Sequence, residues 1–376
     1  MPRILRVRSL LSALLLSFAC GPAGGGGSGD TEATSEGTSA SEGTGTSEGP
    51  GTSEETGASA SASATTSASA TTGATTGEST TAASSTGERE TESDTASFPP
   101  PAPEGCIDDA EAGHHEYTCG EIVFDVEVPE ACLQEACGLI VDVHGFSMSA
   151  AMEDASTELR RLGRERGYVV IQPNANPAPP LASWKASDDP EVFAMLERAL
   201  KVWHLDPDRV HFTGFSQGGG MTWRMLCAHA DVFASVAPAA LAEGCAFTAD
   251  EQPAREVPVL YMHGIDDELV PFSGAEALME QVKITWELDA GEVIAGDEDF
   301  ERTRFLTPSG TPFEWITHHY AIAEVCLLLK LGGHCFPGSE DPGTAPGQPC
   351  SFACPQEAAF HWGEEVMDFF EAHPRG

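Results

Sequence analysis

The chain has 376 residues and a formal net charge of −40 at pH 7, from 59 acidic and 19 basic residues. Residues 1–103 hold four arginines and twelve acidic residues, so that −32 of this charge falls on residues 104–376. A surface of that sign repels nucleic acid and anionic substrates, whereas neutral small molecules and polymers remain possible partners.

The first twenty residues are typical of an export signal. Three arginines precede the apolar run Leu10–Phe18, which is too short to span a membrane as a mature helix. Cys20 directly follows this segment, as the lipid-bearing cysteine does in bacterial lipoproteins. Ser17 and Phe18 depart from the usual lipoprotein pattern of a leucine and a small residue at these positions. The sequence therefore predicts a signal peptide over residues 1–20 with lipidation at Cys20, and plain secretion is the alternative.

Residues 21–103 consist almost entirely of Ser, Thr, Gly, Ala and Glu. Such a segment buries too little apolar surface to offset the entropy lost on ordering. We predict a flexible stalk with a root-mean-square span of roughly 50 Å, long enough to hold a domain away from a membrane. A generic disordered tail is the alternative. Residues 104–376 are then numerous enough for one α/β domain.

Ten cysteines lie in residues 104–376. An even number in an exported chain predicts up to five disulfides. Metal binding is disfavoured, because no C-x-x-C pair occurs and the pairs Cys132/Cys137 and Cys350/Cys354 lack a histidine at zinc-finger spacing. Cys106–Cys119 and Cys350–Cys354 are plausible close bridges, although the sequence alone does not determine the pairing. We predict no metal site.

Strand and helix patterns alternate along the domain. The predicted strands are Glu121–Val128 at a sheet edge, Gly138–Val143, Tyr168–Gln172, a short strand from Val210, Ala234–Ala239, Val257–Met262, a hairpin of Thr303–Leu306 with Phe313–His319, and Val325–Leu331. The predicted helices are Ser149–Arg166, Asp189 to about His204, Met221–Ala230, Ser273–Ile284 and Glu357–Ala372. This alternation predicts a mainly parallel sheet with helices on both faces.

One turn stands out chemically. Gly214-Phe215-Ser216-Gln217-Gly218 fits G-x-S-x-G, follows a short strand and precedes a helix. That layout is typical of a nucleophile elbow, in which a strained serine needs small neighbours such as Gly214 and Gly218. The alternative is a glycine-rich turn with an incidental serine.

Two later loops contain the groups that a catalytic serine requires. A serine hydroxyl needs a histidine to accept its proton and a carboxylate to orient that histidine. The strand Val257–Met262 leads into Asp266-Asp267-Glu268, and the predicted strand Val325–Leu331 leads into His334. Open α/β sheets place their sites at such strand ends. A solvated acidic turn and an unrelated loop histidine are the alternatives.

An oxyanion hole requires two backbone N–H groups. One is expected from Gln217, immediately after the serine, and the other from the loop after Gly138–Val143. Within that loop we select Phe146, with Gly145 as the alternative. The His144 imidazole is assigned either to the substrate pocket or, preferably, to a structural hydrogen bond.

These motifs together resemble those of the polyhydroxybutyrate depolymerase and feruloyl esterase group, a set of secreted α/β-hydrolase esterases. The resemblance runs over about Cys106–Ala372, and the group usually shows H-G-T-x-D-x-x-V-P and G-H-x-W-P-G. Residues 263–271 and 333–338 match these patterns, with Ile265 in place of threonine and Phe336 in place of tryptophan. The match places the family aspartate at Asp267 and the family histidine at His334.

The resemblance implies a disulfide-stabilised α/β-hydrolase fold and a serine esterase without a cofactor. Ser216, Asp267 and His334 would form its triad. Trp184 follows a Pro-rich loop where the group often carries an aromatic residue near the pocket, so it is either a substrate platform or a buried packing residue. The implied partners are a small-molecule or polymeric ester and, through Cys20, a membrane, and the domain is predicted to be a monomer. Three alternatives remain: a thioesterase-like carboxylesterase, a peptidase of the same fold and a non-catalytic binding module.

Overall fold

The structure is a computed structural model, and it describes residues 100–376. The predicted signal peptide, Cys20 and nearly all of the predicted stalk lie outside these residues. Within residues 100–376, no helix is long and apolar enough to cross a membrane.

Residues 100–376 form a ten-stranded sheet, a separate two-stranded sheet and six α-helices. The strands are β1 (Gly113–Cys119), β2 (Ile122–Val128), β3 (Cys137–Val143), β4 (Tyr168–Asn174), β5 (Leu205–Phe215), β6 (Ser235–Ala239), β7 (Val259–Gly264), β8 (Glu292–Gly296), β9 (Phe300–Leu306), β10 (Pro312–His318), and a separate pair, β11 (Ile322–Cys326) and β12 (Leu329–Gly332). The helices are α1 (Ala150–Thr157), α2 (Leu159–Arg166), α3 (Asp189–Val202), α4 (Gln217–His229), α5 (Phe272–Thr285) and α6 (Trp362–Ala372).

The strand order is β1-β2-β4-β3-β5-β6-β7-β10-β9-β8. The six strands from β4 to β10 are mutually parallel, and antiparallel strands flank them on both sides. The predicted mainly parallel sheet is therefore confirmed. All seven residues of β3 are buried, which explains its unbroken apolar sequence, because a central parallel strand is covered on both faces.

Helices cover both faces of the sheet, as predicted. Leu139 and Val141 of β3 belong to one apolar cluster, and Ile140 between them belongs to the other. Helices α3, α4 and α5 supply apolar residues to the first cluster, and α1, α2 and α6 supply them to the second. Successive side chains of β3 therefore pack alternately against the helix layers on the two faces of the sheet.

The predicted helix Ser149–Arg166 is two helices. Glu158 adopts a left-handed conformation with φ of 54°, and its N–H donates to the carbonyl of Asp154. The Asp154 carboxylate also accepts the N–H of Arg160, so it caps the second helix where the first one stops. A helical pattern alone does not reveal such a break, although the predicted helix end at Arg166 is confirmed, with Gly167 directly after it at φ of 72°.

Other boundaries also differ from prediction. Glu121–Val128 is not an edge strand, because the polar strand β1 pairs outside it. Helix α3 ends at Val202, and α6 begins at Trp362 rather than Glu357. The predicted hairpin of β9 and β10 is confirmed, and β8 extends it by one further strand.

The prediction of a single sheet strand over Val325–Leu331 is wrong. The segment belongs to an antiparallel hairpin of β11 and β12, Ile322–Gly332, which forms its own two-stranded sheet. Leu327 and Leu328 make the turn with φ of 48° and 72°. A short apolar run does not distinguish a core strand from a hairpin that packs on one side only, and Leu328 is in fact exposed.

Five disulfides cross-link the domain, as predicted. The Cys106–Cys119 bridge is confirmed, and Cys132–Cys137 and Cys227–Cys245 are also formed. The Cys350–Cys354 pairing is wrong, because Cys350 bonds to Cys326 and Cys354 bonds to Cys335. These two bridges tie the segment around residues 350–354 to the hairpin and to the loop that carries His334.

Candidate active site

Ser216 lies in the sharp turn between β5 and α4. Its backbone is strained, with φ of 54° and ψ of −118°, and its N–H donates to the carbonyl of Ala239 at 2.9 Å. A Cβ at Gly218 would lie 1.8 Å from the carbonyl oxygen of Val143, and one at Gly214 would lie 2.7 Å from the same oxygen. Only glycine fits at either position, so the turn has the geometry of a nucleophile elbow.

The structure brings His334 and Asp267 together. His334 Nδ1 lies 2.7 Å from Asp267 Oδ2, and both side chains are buried. The other carboxylate oxygen, Oδ1, accepts the N–H groups of Leu269 and Val270 at 2.8 and 2.7 Å. Both oxygens of the carboxylate are therefore held in place, and one of them faces the imidazole.

Backbone hydrogen bonds join the two loops that carry these residues. Gly333 N–H donates to Asp266 O at 2.8 Å, and Glu268 N–H donates to Leu331 O at 3.2 Å. A Cβ at Gly333 would meet the backbone N of Asp267 at 2.9 Å. The histidine loop is thus positioned by the loop after β7, and not by a strand of the main sheet as its sequence suggested.

The charge on Asp267 is set by opposing effects. Burial acts to raise the pKa of this carboxyl group, but the charge and hydrogen bond of His334 and the amide of Val270 outweigh it and lower the pKa. Asp267 is therefore a carboxylate that accepts the Nδ1–H of His334. This fixes the tautomer in which Nε2 is free to accept a proton.

The neighbouring acidic residue, Asp266, has a different environment. Its carboxylate is exposed and pairs with His319 Nδ1 at 2.9 Å. Of the two adjacent aspartates, Asp267 alone is buried against His334. Asp267, and not Asp266, is therefore the aspartate that contacts His334.

His263 was not singled out from the sequence. It is fully buried, its Nε2 lies 3.6 Å from Asp267 Oδ2, and it also contacts the carbonyl of Val270 at 3.0 Å. Tyr261 Oη lies 2.9 Å from the other ring nitrogen. Burial lowers the pKa of His263, against the opposing charge of Asp267, so we assign it as a neutral ring that packs behind the aspartate. The sequence signal that could have indicated His263 is its position in the segment 263–271, four residues before Asp267.

The loop after β3 approaches the serine closely. A Cβ at Gly145 would lie 3.1 Å from Ser216 Cβ, so this glycine permits the contact. Gly145 and Phe146 line one cavity together with Ser216 and His334. On the other side of the serine, Gln217 begins α4, where N–H groups point out of the helix end. Phe146, which lines the cavity with Ser216, and Gln217, which follows Ser216 in the chain, are the residues predicted to supply the oxyanion amides.

His144 and Trp184 support this loop from behind. His144 is buried, with Nδ1 2.7 Å from the carbonyl of Gly145, and its Nε2 accepts the N–H of Ala175 at 3.0 Å. Burial lowers the pKa of His144 to about 4, so the ring is neutral. Trp184 is also buried and donates its Nε1–H to the carbonyl of His144 at 2.9 Å. This geometry favours packing and hydrogen bonding over the alternative of substrate contact for both residues.

Gln217 has a side chain that ties the elbow to the Pro-rich loop. Its Oε1 accepts the backbone N–H of Trp184 at 3.0 Å. Within residues 100–376, no group of three or more His, Cys, Asp or Glu side chains could hold a metal ion.

These features define the fold class. The elbow follows β5, the acidic loop follows β7, and the histidine comes later in the chain, which is the order found in serine hydrolases of the α/β-hydrolase fold. The chain has an α/β-hydrolase fold.

Known esterases are similar in sequence to parts of this chain. No family model matches the chain. The chain is 23% identical over 148 residues to a bifunctional acetylxylan esterase/xylanase of Neocallimastix patriciarum. The aligned region covers 39% of this chain and 21% of that protein. The chain is also 27% identical over 158 residues to feruloyl esterase B of Piromyces equi. That aligned region covers 40% of this chain and 30% of that protein. The chain thus spans about a fifth and three tenths of these relatives' lengths.

Among solved structures, the chain is similar to an acetyl xylan esterase from Aspergillus awamori. The sequence identity is 15% and the TM-score is 0.46, with 55% of this chain and 92% of that chain covered.

Proposed function

We propose that this chain is a serine esterase that hydrolyses carboxylic esters through Ser216, His334 and Asp267. The observation that supports this most directly is the 2.7 Å contact of His334 with a buried aspartate, beside a cavity that the strained Ser216 also lines. The names of the relatives, which include an acetylxylan esterase and a feruloyl esterase, support an ester as the substrate.

In the proposed mechanism, Ser216 Oγ attacks the ester carbonyl while His334 Nε2 accepts its proton. The resulting oxyanion accepts hydrogen bonds from the backbone N–H groups of Gln217 and Phe146. His334 then donates the proton to the leaving alkoxide, and an acyl group remains on Ser216. A water molecule, deprotonated by His334, hydrolyses this acyl-enzyme, while Asp267 stays ionised throughout.

The substrate would be a neutral ester, either a small molecule or a polymer such as an acetylated or feruloylated polysaccharide or a short hydroxyalkanoate ester. The acidic charge of the domain disfavours anionic esters. We further propose that the protein acts outside the cytoplasm as a monomer, with Cys20 as its lipid anchor and residues 21–103 as the stalk.

The acyl-enzyme provides the decisive test. Wild-type protein mixed with p-nitrophenyl acetate should release a rapid burst of about one p-nitrophenol per active site if deacylation is the slower step. Acid quenching followed by peptide mass spectrometry should then locate one acetyl group on the peptide that contains Ser216.

The control is Ser216→Ala, which should keep the wild-type circular dichroism spectrum and show neither burst nor acetylated peptide. Turnover with the acetyl group on another residue, or continued turnover of Ser216→Ala, would contradict the proposed mechanism.

A further inference from the structure

The hairpin Ile322–Gly332 forms a wall of the cavity beside Ser216. Its residues Leu327, Leu329 and Leu331 line that cavity together with Ser216 and His334. Met148, Phe215, Leu269 and Phe352 add further apolar side chains to the lining, which also includes Ser147. The hairpin therefore supplies a large part of the apolar surface that an ester's non-polar portion would contact.

The free space in this cavity is small. The cavity has about 20 Å³ of free space for water-sized groups. A single water needs about 10–15 Å³ measured in this way, so the cavity has room for a methyl group but not for a long chain or an aromatic ring. A bulky acyl group would have to displace the leucines of the wall.

The wall is anchored at two points. At one end, Gly332 pairs with Asp267, and Lys330 Nζ lies 3.0 Å from Glu268 Oε2. Near the turn, Cys326 is bonded to Cys350. The hairpin is thus tied both to the acidic loop and to the segment around residues 350–354, and this favours a fixed wall over a freely moving flap.

The segment that carries Phe352 is anchored as well. Phe336 N–H donates to Phe352 O at 2.8 Å, Cys354 N–H donates to Phe336 O at 3.0 Å, and Cys335 is bonded to Cys354. The loop of Gly145 and Phe146, which approaches the serine closely, also lines the cavity. The segment that carries Phe352 is therefore held in place by a disulfide and by two backbone hydrogen bonds.

We propose that this hairpin is the acyl-selecting element of the enzyme, and that Leu327 and Leu329 restrict hydrolysis to acetyl-sized acyl groups. The inference rests on the proposed serine esterase activity and narrows its substrate class. A small, apolar cavity suits the methyl of an acetyl group, whereas a sugar or other polar alcohol would leave its hydroxyls without partners there. The alcohol portion therefore faces the open side of the site.

The test varies the acyl group and keeps the leaving group constant. For the wild type, kcat/KM should fall about tenfold or more for each added methylene from p-nitrophenyl acetate through propionate to butyrate, because each one overfills the cavity. Methyl ferulate should show no measurable turnover. Leu327→Ala should raise the butyrate-to-acetate ratio of kcat/KM by about tenfold.

Leu328→Ala is the matched control. Leu328 is the next residue in the same left-handed turn, but its side chain is exposed and does not line the cavity. Its acyl profile should equal that of the wild type. Leu329→Ala repeats the test on β12, and Leu327→Phe should reduce propionate turnover relative to acetate, so the inference does not depend on the folding of a single variant.

The outcomes separate the two proposals. A flat acyl profile in the wild type, or equal shifts in Leu327→Ala and Leu328→Ala, would overturn the acyl-wall inference and leave the esterase intact. The inference would also be overturned if Leu327→Ala changed the ratio of kcat/KM between phenyl acetate and naphthyl acetate, because these esters differ only in the alcohol portion. The absence of both turnover and an acetylated Ser216 peptide in the wild type would instead reject the esterase itself.

Discussion

Replacement of Asp267 by asparagine is expected to lower kcat for p-nitrophenyl acetate by about 10⁴-fold with little change in the fold. The Oδ1 position accepts two backbone N–H groups, from Leu269 and Val270, so the asparagine oxygen must occupy it. The new NH₂ group then takes the Oδ2 position, which lies 2.7 Å from His334 Nδ1. Since NH₂ donates, Nδ1 must accept, and the ring proton moves to Nε2, where it blocks proton transfer from Ser216.

The adjacent residue provides a control for this experiment. Asp266→Asn makes the same chemical change in an exposed carboxylate that pairs only with His319 among the described residues, and it should alter kcat by no more than about twofold. Steady-state kinetics would give kcat and KM, and near-ultraviolet circular dichroism would report the fold. Equal losses in the two variants, or an active Asp267→Asn enzyme, would remove Asp267 from the triad.

The elbow was predictable because its determinants are local. The close approach of Gly214 and Gly218 to Val143 arises within a strand, a turn and a helix that are consecutive or neighbouring in the sheet. The buried strand β3 was predictable for a related reason, since its apolar run reflects coverage on both faces. Sequence patterns record such requirements directly, so the mainly parallel sheet could also be inferred.

The surroundings of His334 were less predictable, because they depend on contacts distant in sequence. The motif placed this histidine beside Asp267, but the run Val325–Leu331 was assigned to the sheet, although it forms the separate hairpin. The bridges Cys326–Cys350 and Cys335–Cys354 could not be derived either, since spacing alone favoured a Cys350–Cys354 pair. The hydrophobicity of a segment predicts that it is buried, but it does not identify the surface against which the segment packs.

A second buried acidic group was not evident from the sequence. Glu153 of α1 lies against Asp142 of β3, and both are almost completely buried. Within residues 100–376, neither oxygen of Glu153 nor Oδ1 of Asp142 has a hydrogen-bond partner, whereas Asp142 Oδ2 accepts from Thr157 and Gln172. If Glu153 is protonated, its O–H can donate to Asp142 Oδ1, which gives a hydrogen bond to one oxygen of each side chain. The two carboxyl groups should therefore share one proton at neutral pH.

Glu153→Gln is therefore expected to raise Tm by roughly 5 °C at pH 8 and to leave it nearly unchanged at pH 4.5. Burial, reinforced by the charge of Asp142, raises the pKa of Glu153 well above its ordinary value. Burial also raises the pKa of Asp142 to about 6, against the hydrogen bonds of Gln172 and Thr157. A glutamine can donate to Asp142 in the same way without holding a proton that the unfolded chain would release.

The sign follows from the raised pKa values. Below about pH 4.5 both folded and unfolded chains keep Glu153 protonated, so the substitution changes little. As the pH rises above this value, the unfolded chain releases the Glu153 proton whereas the folded chain retains it. The wild type therefore loses stability, and the glutamine variant, which has no proton to release at this position, does not. Thermal unfolding followed by circular dichroism across pH 4.5–8 would measure the difference. Glu135→Gln, in an exposed turn, should shift Tm at neither pH. A Tm gain of equal size at both pH values, or a loss at pH 8, would mean that Glu153 is ionised in the folded protein.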